Sequence, residues 1–158
     1  MTRTDAFAQD FCQRMLETEK ADYKWIPRDH LDRKGHESID VVGRSPRKSC
    51  KLILVEVELR KDAPLTNIVK VWRWIANENF KSRFVLIQAF SKYYKDRDTK
   101  PSNAEFIGNQ MSKATGNRYL SISFDYNPHR HGKQGAGRRR YHARRLADKI
   151  RNKLRKSR

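Results

Sequence analysis

Asp40, Glu56 and Glu58 are the residues of this chain best placed to do chemistry, because each interrupts an apolar run. Asp40 sits inside Ile39–Val42, and the two glutamates sit inside Leu52–Leu59. Residues two apart on an extended strand share a face. Glu56 and Glu58 therefore point one way, and Ile53, Val55, Val57 and Leu59 the other. If the two segments pair as a hairpin, Asp40 approaches the same point. Three carboxylates at one point repel each other unless something positive lies between them, and a hard divalent cation is the natural occupant. Mg²⁺ or Mn²⁺ held this way polarises a phosphate and lowers the pKa of an attacking water, which is the chemistry of phosphodiester hydrolysis. The competing reading is a solvated sheet face on which Glu56 and Glu58 pair with Lys51, Arg60 or Arg73.

These acids are exceptions in a basic chain. The 158 residues carry 36 Lys and Arg against 18 Asp and Glu, a formal charge of +18. Such an imbalance attracts polyanions, and nucleic acid is the expected partner. No run approaches the ~18 apolar residues of a membrane span. The N-terminal MTRTDAFAQDFCQRM has no signal-peptide core, so a cytoplasmic, nucleoid-associated protein is expected. Cys12 and Cys50 have neither metal nor disulfide spacing and are read as reduced packing residues.

The elements that must position the acids follow from periodicity. Phe7, Phe11 and Met15, beside Ala8, Cys12 and Leu16, predict a helix over roughly residues 4–20. A short strand then a polar loop is expected between Ala21 and Gly35. Strands are expected at residues 38–42, ending at Gly43, and at residues 51–59. Thr66 or Asn67 is placed to cap a helix whose apolar face is Ile68, Val71, Trp72 and Ile75. The run 83–90 reads as a strand parallel to 51–59. Ser102 with Glu105 reads as a capping box opening a helix that Gly116 ends, and residues 119–124 form a last strand. The expected class is α/β, a central mixed sheet flanked by helices. Composition changes at Asn127, which divides the chain into residues 1–126 and a basic segment, 127–158, with a C-terminal helix from Arg139.

On these residues the chain resembles the PD-(D/E)xK, or restriction-endonuclease-like, nuclease superfamily. The matching stretch is Ile39-Asp40-Val41-Val42-Gly43 followed by Leu54-Val55-Glu56-Val57-Glu58-Leu59-Arg60-Lys61, and the likeness covers roughly residues 4–90. The family pattern is an Asp opening a hairpin, an acid-x-Lys on the next strand, then a helix and another strand. The resemblance implies that Asp40 and Glu56 ligate the metal. Glu58 stands where the family has its lysine; it would orient or deprotonate the water or bind a second ion, and Lys61 or another nearby lysine would replace the cation. Members often add an acid from the first helix, for which Glu19 is the candidate. Gln88 lines the cleft or is a satisfied edge residue. The implied activity is a divalent-metal-dependent deoxyribonuclease, which puts DNA ahead of RNA as the partner, and cutting both strands would be simplest for a homodimer.

Residues 132–158 hold twelve Lys or Arg and a single acid, Asp148. Arg138, Arg139, Arg140, Arg144, Arg145, Lys149, Arg151 and Lys153 are the expected phosphate contacts, with affinity that falls steeply with salt. Tyr93 and Tyr94, in a basic loop, are expected to contact bases, whereas Trp72 is expected in the core. His129, His131 and His142 lack a supporting Cys or acid for zinc and are read as polar or phosphate-contacting. The alternatives to a nuclease are a non-catalytic DNA- or RNA-binding protein and an RNA-associated structural protein.

Overall fold

The strands are β1 (Lys24–His30), a mostly polar edge strand, the apolar runs β2 (Ser38–Arg44), β3 (Leu52–Glu58) and β4 (Phe84–Ser91), and β5 (Arg118–Phe124), in which Tyr119 and Ile122 are buried. Four helices surround them: α1 (Arg3–Thr18), α2 (Leu65–Ala76), α3 (Thr99–Thr115) and α4 (Gly135–Arg155). The computed structural model describes residues 3–18, 23–30, 37–46, 52–59, 64–77, 82–95, 99–128 and 135–155. Glu19, Cys50, Lys51, Arg60, Lys61, His129 and His131 lie outside the described residues.

The strands stand in chain order in one mixed sheet. β1, β2 and β3 form an antiparallel meander, and β3, β4 and β5 run parallel. This is the expected α/β architecture. Both parallel crossovers advance the sheet in the same direction, so a common hand puts α2 and α3 on the same face. That face buries Leu52, Leu54, Leu86, Phe90 and Tyr119 against Ile68, Val71, Trp74 and Met111. The other face buries Val41, Ile53, Val55, Val57, Ile87 and Ile122 against Phe7, Phe11 and Met15 of α1 and Ala143, Leu146 and Ile150 of α4. β3 is covered on both sides, and all seven of its residues are buried.

Ion pairs flank the apolar seam between α1 and α4. Arg139 donates to Asp10 at 2.7 Å, Arg14 reaches Asp148 at 3.1 Å, and Arg144 lies 3.4 Å from Glu17. Cys12 is buried in this seam as a free thiol, and burial pushes its pKa up to about 12. Among the described residues no helix is long and apolar enough to cross a membrane.

Several local expectations change. Gly43 continues β2 instead of ending it, paired with Trp25 on one side and Ile53 on the other, and a Cβ there would stand 2.9 Å from the Trp25 ring. α2 opens at Pro64 with no side-chain cap, so neither Thr66 nor Asn67 caps it. α3 already runs from Thr99, which leaves Ser102 inside the helix instead of capping it. α4 begins at Gly135, ahead of Arg139. The buried tryptophan of α2 is Trp74, and Trp72 only packs at its margin. Leu16 is 42% exposed.

Gly108 lets α3 lie directly on Tyr119: a Cβ at this position would stand 2.4 Å from the ring. Gly108→Ala is expected to destabilise the fold by about 1–3 kcal/mol through overpacking. Urea denaturation measures it; an unchanged midpoint would mean α3 and β5 are not in the close contact described.

Candidate active site

The β2–β3 pairing runs from Arg44 opposite Leu52 to Val41 opposite Val55. One row further would set Asp40 opposite Glu56. The β1–β2 pairing skips a row at the same level: Pro27 pairs with Val41 and Asp29 with Ile39, while Arg28 between them has φ +51. A positive φ is uncommon for a residue with a side chain and marks a local irregularity in the edge strand. Here the Asp40 carboxylate accepts the backbone N–H of Val57 at 2.8 Å, a bond from side chain to strand where backbone pairing has stopped.

A lysine from α2 fills this fork. Lys70 Nζ donates to Glu56 Oε1 at 2.6 Å, to the Ser38 carbonyl at 2.8 Å and to Asn67 Oδ1 at 3.2 Å. An ammonium has three protons, so these three oxygens satisfy it. The side chains of Lys70 and Glu56 are only 10% and 1% exposed. The Lys70 ammonium also lies 5.7 Å from the centre of the Trp74 ring. Trp74 Nε1 donates to Glu37, which Arg73 also binds. The Arg73 hydrogen bond, above all, holds the Glu37 carboxyl below the usual carboxylate range.

Glu58 occupies a second, fully buried compartment of the same face. Its Oε1 accepts from Asn67 Nδ2 at 2.6 Å and from Gln88 Nε2 at 2.8 Å. Gln88 also donates to the Pro64 carbonyl at 2.7 Å, and its Oε1 accepts from the Tyr119 hydroxyl at 2.9 Å. Gln88 is thus a fully buried residue of a central strand, not an edge residue. Burial first, then the charges of Glu105 and Glu58, push the Tyr119 phenol above its ordinary pKa. Asn67 touches both compartments, accepting from Lys70 and donating to Glu58.

Asp40 and Glu56 are therefore brought to one fork, and Glu58 is turned into amides two residues on. Among the described residues no group of three or more His, Cys, Asp or Glu gathers as a metal site. His142 is buried beside Tyr126 on the α1–α4 side, away from this face. Tyr94 is 2% exposed and packs edge-on against Phe90, so it is a core residue and not a base-stacking one. Tyr93, half-buried, leans on Tyr94.

The α4 cations divide by face. Arg139 and Arg151 are partly buried, and Arg139 braces α4 on Asp10 while Arg151 pairs with Asp148. Arg138, Arg140, Arg144, Arg145, Lys149 and Lys153 are exposed. Arg145 donates to the Tyr141 hydroxyl, and Lys149 to the Ser123 carbonyl at 2.7 Å.

Lys70, Asn67 and Tyr119 were not among the expected site residues. Positions 67, 70, 71 and 74 share one helical face, so a lysine between buried Asn67, Val71 and Trp74 is the signal that marks Lys70. No family model matches the chain, and neither does any curated protein or solved structure.

Removing one partner of a buried ion pair strands the other charge, at about 3–5 kcal/mol. Lys70→Met is expected to lose stability on that scale without added metal, and Lys70→Met/Glu56→Gln to regain most of it. A double-mutant cycle by denaturant unfolding checks this. Simple additivity of the two losses would show that the pair is not coupled.

Proposed function

We propose that the protein is a divalent-metal-dependent endonuclease hydrolysing DNA phosphodiester bonds, with its site at the β2–β3 fork. The observation that carries the reading is Asp40 bound to the amide of Val57, the residue next to Glu56, with the Glu56 carboxylate paired to the Lys70 ammonium. The order helix, three antiparallel strands, helix, parallel strand agrees with the restriction-endonuclease-like arrangement that the residue pattern resembles. In that pattern the acid-x-Lys cation is missing, because Glu58 stands in its place. Lys70 supplies a positive charge to Glu56 from the following helix instead.

The donor set suits Mg²⁺ or Mn²⁺ with two carboxylates, since such an ion takes one or two carboxylates and completes its shell with water and phosphate. Asp40 and Glu56 would hold it. Glu58, fixed by Asn67 and Gln88, is not counted among the ligands, which leaves two of the three strand carboxylates, while Glu19, the fourth expected ligand, lies outside the described residues. A divalent ion bound there would polarise the phosphate and lower the pKa of a water. Lys70 orients Glu56 and offsets its charge, so that a phosphate meets less repulsion. The Asn67–Glu58–Gln88–Tyr119 chain of hydrogen bonds holds α2 in place over β3 and β4. Outside the site, the exposed cations of α4 would gather the polyanion.

A second reading, a polynucleotide-binding protein without catalysis, is favoured by the same ion pair: Lys70 already neutralises Glu56 with no ion required. Incubation of the purified protein with plasmid, linear and branched DNA separates the two. The expected result is cutting with Mg²⁺ or Mn²⁺, none with chelator, and a loss of about 10²-fold or more in Asp40→Asn and Glu56→Gln. Cutting that persists in chelator and in Glu56→Ala would remove the mechanism. Binding without cutting by wild type would leave the second reading.

Because α4 is part of the core, the salt test uses substitution and not truncation. Arg138→Gln/Arg144→Gln/Arg145→Gln is expected to lower the slope of log Kd against log salt by roughly 0.9 for each phosphate that these side chains neutralise in the wild type. An unchanged slope would take these three arginines out of the interface.

A further inference from the structure

At the carboxyl ends of β4 and β5 the molecule opens into a cleft of about 610 Å³, whose wall includes Ser91, Lys92, Lys95, Ser102, Ser123 and Lys149. Open α/β sheets bind ligands at the carboxyl ends of their parallel strands. The charges of this cleft select an anion: three lysines face one carboxylate, Asp125. The Lys92–Asp125 pair is 3.5 Å long with both side chains well exposed, so it is weak and open to exchange. Lys149 gives one proton to the Ser123 carbonyl and keeps two donors. The first turn of α3 contributes Pro101 and Ser102 to the wall, which adds the positive end of that helix dipole.

The cleft is tied to the acidic fork and to α4. The Ser91 hydroxyl donates to the Leu59 carbonyl at 2.6 Å, directly after Glu58. Glu58, Phe90 and Ser123 form one row across the sheet. Two interstrand spacings put Ser123 about 10 Å from Glu58, and Glu56 lies two residues further along β3, so one phosphate cannot reach both cleft and fork while one chain can. A second hollow of about 500 Å³ shares Phe124, Asp125 and Lys149 with the cleft and continues to Arg145 on α4.

We propose that this cleft is a phosphate subsite: it seats one backbone phosphate of a polynucleotide of which another, more distant phosphodiester meets Asp40 and Glu56, and its lysines set where along the strand the site acts. The proposal rests on the nuclease reading for its partner but not for its chemistry, which is recognition of a phosphate group. Lys92, Lys95 and Lys149 line the cleft and Arg145 the adjoining hollow, so a strand passing from the fork to this edge would meet them in turn.

Binding of a labelled DNA oligonucleotide to the full-length protein is measured in chelator over a range of salt, with wild type, Lys92→Gln/Lys95→Gln/Lys149→Gln and Glu56→Gln. All three substituted lysines are largely exposed, and a thermal melt confirms that the fold is kept. The lysine variant is expected to bind about tenfold or more weakly, with a salt slope reduced by roughly 0.9 per phosphate left without its lysine, and the Lys→Arg counterpart to retain affinity. Equal affinity and slope in wild type and the lysine variant overturn the subsite while leaving the nuclease reading intact. Absence of any DNA or RNA binding by wild type sinks the nuclease reading instead. In that case amide NMR with inorganic phosphate and a mononucleotide decides for the cleft. Shifts at Ser102 and Ser123 that vanish in the lysine variant support a phosphate site, and no shifts overturn it.

Discussion

The contact on which the site depends is the Lys70 ammonium in the gap between β2 and β3. A buried carboxylate at Glu56 is tolerable only with a cation beside it, because desolvating an unpaired charge costs several kcal/mol. Lys70 meets that need and also takes the carbonyl of Ser38, a backbone acceptor at the level where the two strands stop pairing. One ammonium thus resolves two local problems, a buried charge and an opened ladder. It does so from α2, so the register of that helix on the sheet is set by a polar contact as well as by Ile68, Val71 and Trp74. Asp40 works in the opposite sense, its carboxylate taking the Val57 amide. Donors and acceptors freed by the separating strands are matched by side chains of opposite kind.

The rest of the α2–α3 face extends this logic inward. Asn67 connects Lys70 to Glu58, Gln88 connects Glu58 to Tyr119, and the contact of Gly108 with the Tyr119 ring sets how closely α3 approaches β5. Half-satisfied buried polar groups destabilise, whereas a connected chain makes each member depend on the others. The α1–α4 side of the sheet is built differently, from Phe, Met, Leu, Ile and Val, with its ion pairs confined to the rim of the two helices. Both faces of the sheet thus carry an apolar core, and the buried polar chain is confined to the α2–α3 side.

The strands were legible because alternation of apolar side chains is a direct consequence of a covered sheet, and Asp40 and Glu56 were legible as violations of it. Glu58 looked equivalent to Glu56, since both have the same parity on β3. What separates them is their neighbours across space, a lysine for one and amides for the other, and sequence spacing carries no such information. The face of α2 was read one position off, as 68, 71, 72 and 75 rather than 67, 68, 71 and 74, because Trp72 and Ile75 are as apolar as the residues that are buried. That shift hid Lys70. Tyr94 looked free because lysines surround it in the chain, yet Phe90, four residues earlier, provides the ring it packs on. Helix starts were misread where Ser and Asn looked like caps but tertiary contacts claimed the side chain, as at Asn67.

Charge placement links these features to the polyanion expected from the composition. A net charge of +18 draws phosphate to the whole surface, but a phosphate reaching the fork would face Asp40 and Glu56. Exposed lysines and arginines are screened within about 10 Å at ordinary salt, so they attract from outside and do little to cancel acids in a covered site. The cancelling charge has to be local. Lys70 is local, yet its three protons already have acceptors, the longest of them Asn67 at 3.2 Å. For Lys70 to touch a phosphate it must release one of these, and Asn67 is the partner with the least to lose. Release of Asn67 would reach Glu58 through the amide they share, so under the proposed reading a phosphate docking at the fork would also disturb the packing of the inner polar chain.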